Sequence, residues 1–481
     1  MKLKTIVEKY NNMGIAVKAG VWFTICNFLQ KAISMITMPI FTRLLPTEDY
    51  GLFTIYQSWY SIVCIFATLN LAGAVVNNGM IKYKDRRAEF ISSLQGLSTT
   101  VTIAVFLVYL LFQSFWNKLL ELSTSLILVM FVQLLFEPAY LFWMQRNRFE
   151  FKYRNVVAVT LAVSVLSPVL GIIAVIASTN KIFARVFSYA IVQIAVGLFF
   201  YILQISRGKK IFDKEYWRFA LAFNLPLIPH YLSQIVLGQA DRIMIGNMVG
   251  NSQAAIYSVA YTVASMMTLL INAVNSSFIP SMYQSMDEKE YKNIEKSSFP
   301  LCLLIAVSVC GVMLIGPEVI GILASPEYAE AVYCIPPVAA SIFFTYLYTL
   351  FINVEFYFEK TQYSMIVSVL GAALNILLNY LLIPRFGYVA AGYTTLVCYV
   401  LFAIGHGFLC SALKKKAEIK SPLFSVHKIM ALSIFVLLYT ALINIMYKYP
   451  MVRVSLAGIC ILVILIKHKK VFAFVQGIIK K

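Results

Sequence analysis

The chain has 481 residues, of which 60% are hydrophobic and 13% charged, against roughly 25% charged in an average soluble domain. A soluble fold could not hide that much apolar surface. The net charge of +19 would suit nucleic acid if it covered one face, but Lys and Arg sit in short clusters between apolar runs, a pattern of membrane topology; no nucleic-acid partner is expected.

Apolar runs long enough to cross a bilayer, about 20 residues each, recur along the whole sequence. The first, from about Ile15 to Leu45, is too long for a signal-peptide core and is expected to span. Taken in chain order, the expected spans are 16–44, 50–77, 90–115, 119–144, 155–178, 183–206, 219–248, 253–280, 298–324, 330–357, 362–383, 388–412, 426–447 and 450–467. The fold class is therefore an all-α polytopic membrane protein of about fourteen transmembrane helices.

Basic residues favour cytoplasmic loops, which tests this count. With a cytoplasmic N-terminus, 31 of the 40 Lys and Arg fall in segments assigned inside and 8 in segments assigned outside, Lys31 lying within a span. One missed helix would invert every assignment after it, so both termini are expected on the cytoplasmic side.

Two charged stretches divide the chain. Residues 207–218 follow the sixth span and 413–420 the twelfth, suggesting a six-helix lobe over 1–206, a connector at 207–218, a second six-helix lobe over 219–412, and two added helices with a basic tail over 413–481. A faint echo relates the halves: LPTEDYGLFTIY (45–56) and VGNSQAAIYSVA (249–260) each pair a short polar turn with an aromatic-bearing helix, and internal repeats are common in transporters.

A charge inside hydrocarbon costs a few kcal/mol or more, so each one needs a partner, water or a function. Lys31 stands in the middle of the first span, sharing one helical face with Asn27, Ser34 and Met38 by i, i+4, i+7, i+11 spacing. That face is expected to line a cavity; a pairing of Lys31 with Glu137 is the plainer alternative. Asp241 and Arg242 adjoin in QADRIMIGNMVG, where Arg242 could meet an anion or tie the halves together. Glu137 lies in FEPAY, and Glu355, in FINVEFYFEK, is expected at the cytoplasmic edge, where a charge is cheap. Pro226 and Pro229 predict a bend at the start of the seventh span. The cysteines lie in apolar segments with no CxxC spacing, and the four His are scattered, so neither a metal site nor a cofactor is expected. No GxxxxGK[ST], HExxH or complete GxSxG constellation is present, leaving a conformational carrier rather than an enzyme.

The strings MPIFTRLLPTEDYGLF (38–53), QADRIMIGNMVG (239–250) with AIYSVAYTVAS (255–265), and LNILLNYLLIPRFGYVAAGYTTL (374–396), in this order among fourteen spans, resemble the polysaccharide repeat-unit flippases, the Wzx-like branch of the MOP superfamily. The resemblance covers nearly the whole chain. It implies two six-helix lobes around a central cavity with two C-terminal helices, in the bacterial cytoplasmic membrane. It also implies a cargo, an undecaprenyl-diphosphate-linked oligosaccharide moved to the outer leaflet for O-antigen, capsule or exopolysaccharide, with polymerase machinery as a partner. A diphosphate needs cations in a wet passage while its polyprenyl tail stays in lipid; Lys31, Arg43 and Arg242, with Asn27, are the expected binding residues. Asp241 and Glu137 are the expected coupling carboxylates for H+ or Na+. A MATE-type cation exporter would want an acidic cavity and fits less well; a peptidoglycan-precursor flippase has compatible electrostatics and is the other alternative.

Overall fold

Inside hydrocarbon an apolar run can satisfy its own backbone only as a helix or a closed barrel. Each of the fourteen expected spans is largely helical over its described residues in the structure, a computed structural model that describes residues 13–466, and no strand occurs among the described residues. The expected cytoplasmic termini, with Lys2, Lys4, Lys9 and the basic residues from Lys467 to Lys481, lie outside the described residues.

The chain divides into two compact units, Met1–Gln239 and Ala240–Lys481. The first contains α1 (Ile15–Leu44), α2 (Thr47–Thr68), α3 (Ala74–Lys82), α4 (Arg87–Leu111), α5 (Gln113–Leu120), α6 (Thr124–Phe149), α7 (Tyr153–Ala177), α8 (Lys181–Gly208), α9 (Lys214–Asn224) and the start of α10 (Ile228–Met248). The second contains the rest of α10, then α11 (Asn251–Ser265), α12 (Met267–Asp287), α13 (Tyr291–Leu323), α14 (Ile335–Tyr357), α15 (Thr361–Phe386), α16 (Val389–Lys416), α17 (Val426–Met446) and α18 (Pro450–Ile466). Among the described residues, eleven helical stretches are long and apolar enough to cross a membrane. The other three expected spans are α1, made polar by Asn27, Gln30 and Lys31; α2, which opens on Glu48 and Asp49; and α18, with 17 residues.

In the first unit, the second span is broken at Leu69 and Asn70, both at positive φ. The freed Leu69 carbonyl accepts from Nδ2 of the buried Asn224. The stretch 207–218, expected as a connector between lobes, packs on this unit. Asp213 caps α9 by accepting from the backbone of Glu215 (2.9 Å) and Tyr216 (3.1 Å). The Tyr216 ring is buried against Tyr83 (4.7 Å) and Phe90 (5.6 Å), and Trp217 Nε1 donates to Ser93 O at 3.0 Å. The division between the units falls within α10, after a 3-10 turn at Leu225–Leu227 where Pro226 and Pro229 interrupt the helix. Gly197 sets the spacing of α6 and α8: a Cβ there would stand 2.4 Å from the Phe136 carbonyl, so only glycine lets α8 lie against the turn that carries Glu137.

In the second unit, α14 is central, with residues 334–344 all buried. The expectation that Glu355 sits at a cheap, exposed edge is corrected. It is fully buried, and its Oε1 lies 2.6 Å from Nδ1 of the buried His406 on α16, because α14 and α16 pack along their lengths and bring these groups together. Arg453, assigned by sequence to an outside loop, forks onto Glu318 of α13 through two bonds of 2.6 Å and donates to Leu314 O at 2.7 Å. With Tyr447 donating to Met313 O at 2.6 Å, this fastens α17 and α18 to α13.

Candidate functional site

Two of the clusters of polar groups inside apolar helices, one in each unit, contain the acids singled out by sequence. In the first unit a cavity of about 420 Å³ opens between α1, α6, α7 and α8. Gln30, Ser34 and Thr37 line it from α1, at the 3- and 4-residue spacing of one helical face. Glu137 and Arg148 come from α6, Ser164 and Ser167 from α7, and Arg185 and Gln193 from α8.

Glu137 is held in place by two donors, Tyr60 Oη at 2.5 Å and Gln133 Nε2 at 2.6 Å. It makes no ion pair with Lys31, so the alternative that Lys31 pairs with it is set aside. The single face expected on α1 divides: Ser34 lines the cavity and Met38 is buried, whereas Asn27 and Lys31 are exposed and stand outside the lining. Lys31 makes no ion pair or hydrogen bond among the described residues. Arg43 closes the end of α1, its Nη1 donating to Pro39 O at 2.9 Å.

In the second unit the carboxylate of Asp241 is buried and receives three donors. They are Tyr257 Oη from α11 (2.5 Å), Asn379 Nδ2 from α15 (2.7 Å) and Thr395 Oγ1 from α16 (2.8 Å). Thr394 Oγ1 donates to Asn379 Oδ1, and Asn375 Nδ2 donates to Thr395 Oγ1 at 3.2 Å. Four helices thus converge on one acid, and its oxygens are satisfied as a buried carboxylate requires. Arg242, the next residue, lies over the Tyr261 ring at 4.4 Å. The two neighbours therefore serve different surroundings, as their separation of about 100° around the helix dictates. Among the described residues no group of three or more His, Cys, Asp and Glu could hold a metal. Asp241 instead stands among neutral amides and hydroxyls.

Sequence reasoning singled out Asp241 and Glu137 but not their partners. Asn375 and Asn379 are four residues apart, which puts both on one face of α15, and adjacent Thr394 and Thr395 follow on α16; that spacing was the available signal. Arg148 and Arg185, which both line the first unit's cavity, were not singled out.

A family model described as "Polysaccharide biosynthesis protein" matches residues 16–286. An uncharacterised membrane protein of Methanocaldococcus jannaschii is 22% identical over 420 residues, covering 81% of this chain and 82% of that protein. A Haloferax volcanii protein named "Probable low-salt glycan biosynthesis flippase Agl15" is 24% identical over 176 residues, 36% of this chain and 37% of its own. Among solved structures, the lipid II flippase MurJ in an inward closed conformation superposes with a TM-score of 0.67 at 13% identity, over 94% of this chain and all of that one. That likeness shows that the two chains share a fold.

Proposed function

The chain belongs to the polysaccharide biosynthesis protein family of multi-pass membrane proteins, and from that premise we propose that it is a transporter which flips undecaprenyl-diphosphate-linked oligosaccharide repeat units from the cytoplasmic to the outer leaflet of a bacterial inner membrane, by alternating access, for O-antigen, capsule or exopolysaccharide synthesis. The observation that carries the reading is Lys31, exposed near the middle of α1 with no carboxylate partner among the described residues. A mid-span ammonium left against hydrocarbon is costly; water and a phosphate-bearing head group would relieve that cost. Arg43 and Arg242, with Asn27, are proposed as further contacts of the same cargo. Asp241 is proposed as the coupling carboxylate for H+ or Na+, because a buried acid ringed by neutral donors changes its surroundings when it gains a cation; Glu137 is the second candidate in that role.

The test follows lipid-linked units in cells. With Lys31→Ala or Lys31→Glu, units should be trapped on the cytoplasmic face and polymer should fall by about tenfold or more, the scale of one lost charged contact, while Lys31→Arg should restore export. Normal polymer from Lys31→Glu removes Lys31 from the cargo path. The trapped lipid also names the cargo, since accumulation of a peptidoglycan precursor instead of a repeat unit would transfer the protein to that pathway. In proteoliposomes, Asp241→Asn should abolish the response of flipping to an imposed H+ or Na+ gradient, and a response equal to wild type excludes it as the coupling group.

A further inference from the structure

Arg185 is the feature of the first unit that the proposed roles leave unused. Its guanidinium is stacked between the rings of Phe41, 3.9 Å away, and Phe53, 4.1 Å away. Nε and Nη1 are buried and have no hydrogen-bond acceptor, and no carboxylate of the described residues pairs with the group. Aromatic faces attract a cation, but they accept its N–H groups only weakly. Burying donors of a charged group without acceptors is among the more expensive arrangements in a protein interior. Glu137, the acid on the same cavity wall, is engaged by Tyr60 and Gln133. Gly171 keeps space open beside the guanidinium, since a Cβ there would stand 3.2 Å from Nη1 and 2.9 Å from the Phe41 ring.

Arg148 presents a second guanidinium to the cavity, with its own Nε lacking an acceptor. It sits near the C-terminal end of α6, whereas Arg185 sits in the first turns of α8, so the two belong to opposite ends of their helices. The remaining lining mixes hydroxyl and amide groups, from Ser34, Thr37, Ser164, Ser167 and Gln193, with apolar side chains such as Leu141, Met144 and Val163. The cavity thus carries two guanidinium groups against one carboxylate, that of Glu137, and one of the two cations is held between rings with no carboxylate paired to it among the described residues.

We infer that Arg185 is an anion station inside the first unit, taking a phosphate-type oxyanion that enters the cavity between α1, α6, α7 and α8. The anion chemistry follows from the unpaired guanidinium; only the source of the phosphate, a polyprenyl diphosphate, rests on the flippase reading. The station is separate from the Lys31, Arg43 and Arg242 contacts.

The experiment measures ligand-induced shifts in the thermal midpoint of the full chain in nanodiscs. Two probes are titrated, inorganic pyrophosphate and undecaprenyl diphosphate. Wild type should bind at least one of them; binding of both assigns the station to the anion itself, and binding of undecaprenyl diphosphate alone assigns it to the lipid. Arg185→Gln should weaken binding about tenfold or more, with Arg185→Lys falling between. Gly171→Ala, which leaves the charge intact but crowds the guanidinium, should weaken it severalfold and carries the test if Arg185→Gln fails to fold. A purely structural arginine would lower the midpoint without changing the ligand-dependent shift. Wild-type affinity in both Arg185→Gln and Gly171→Ala, or no binding of either probe to wild type, overturns the proposal. Neither result touches the flippase reading, which the Lys31 export assay decides separately.

Discussion

Glu355 and His406 meet with Nδ1 and Oε1 2.6 Å apart, both side chains all but fully buried. Tyr348 and Phe402 place rings 5.8 and 6.3 Å from the imidazole, so the pair lies in aromatic surroundings. Removing one member of such a pair strands the other, which costs about 3–5 kcal/mol, whereas replacing both by apolar groups of similar volume is often neutral. His406→Ala should therefore lower stability by about 3–5 kcal/mol, and the double change His406→Leu with Glu355→Met should recover most of that loss. The buried thiols of Cys302, Cys334, Cys398 and Cys410 supply the readout, because they react with a fluorogenic maleimide only on unfolding. Equal loss in single and double variants would show that the pair is not energetically coupled. At this scale the sequence was half legible. In-span acids are conspicuous by their cost, so Asp241 and Glu137 stood out. Their partners did not, because Asn379 is 138 residues from Asp241 and Tyr60 is 77 from Glu137, separations that no local pattern encodes.

Elements were far more legible than sites, since a helix that must bury its backbone in lipid announces itself by length and composition. The two echoed strings become matching features, tight two-residue turns at Leu45-Pro46 and Val249-Gly250 that join α1 to α2 and α10 to α11. They solve the turn differently. Pro46 sits at φ −54°, ψ 150°, an ordinary extended conformation with the ring already in place. Gly250 sits at φ +143°, ψ 161°, a region that is essentially restricted to glycine. Gly250→Ala should cost about 1–3 kcal/mol while Pro46→Ala costs much less, as compared by thermal midpoints in one detergent. Equal effects would mean the α10–α11 turn relaxes freely. The packing of 207–218 has a physical cause as well. Charge density marks a segment outside the bilayer, but it does not reveal that Tyr216 and Trp217 on that segment anchor it to the first unit.

At the scale of the molecule, the alternation of basic loops and the helix count make one joint statement about topology. Between the turn at 45–46 and the turn at 249–250 the chain makes six crossings, through the second to seventh expected spans. An even number returns both turns to the same side of the membrane. The basic-residue bias assigns that shared side to the outside. Single cysteines in a cysteine-free background test it directly at exposed positions. Glu48→Cys and Val249→Cys should both react with a membrane-impermeant maleimide applied to intact cells. Lys84→Cys and Lys289→Cys should react only after the membrane is opened. If Glu48→Cys and Val249→Cys label from opposite sides, an odd number of crossings separates them, and every loop assignment after the miscounted crossing fails together. Agreement would place the Arg148 end of the first unit's cavity toward the cytoplasm and the Arg185 end toward the outside. The unpaired guanidinium would then stand near the side to which a flipped head group must be delivered.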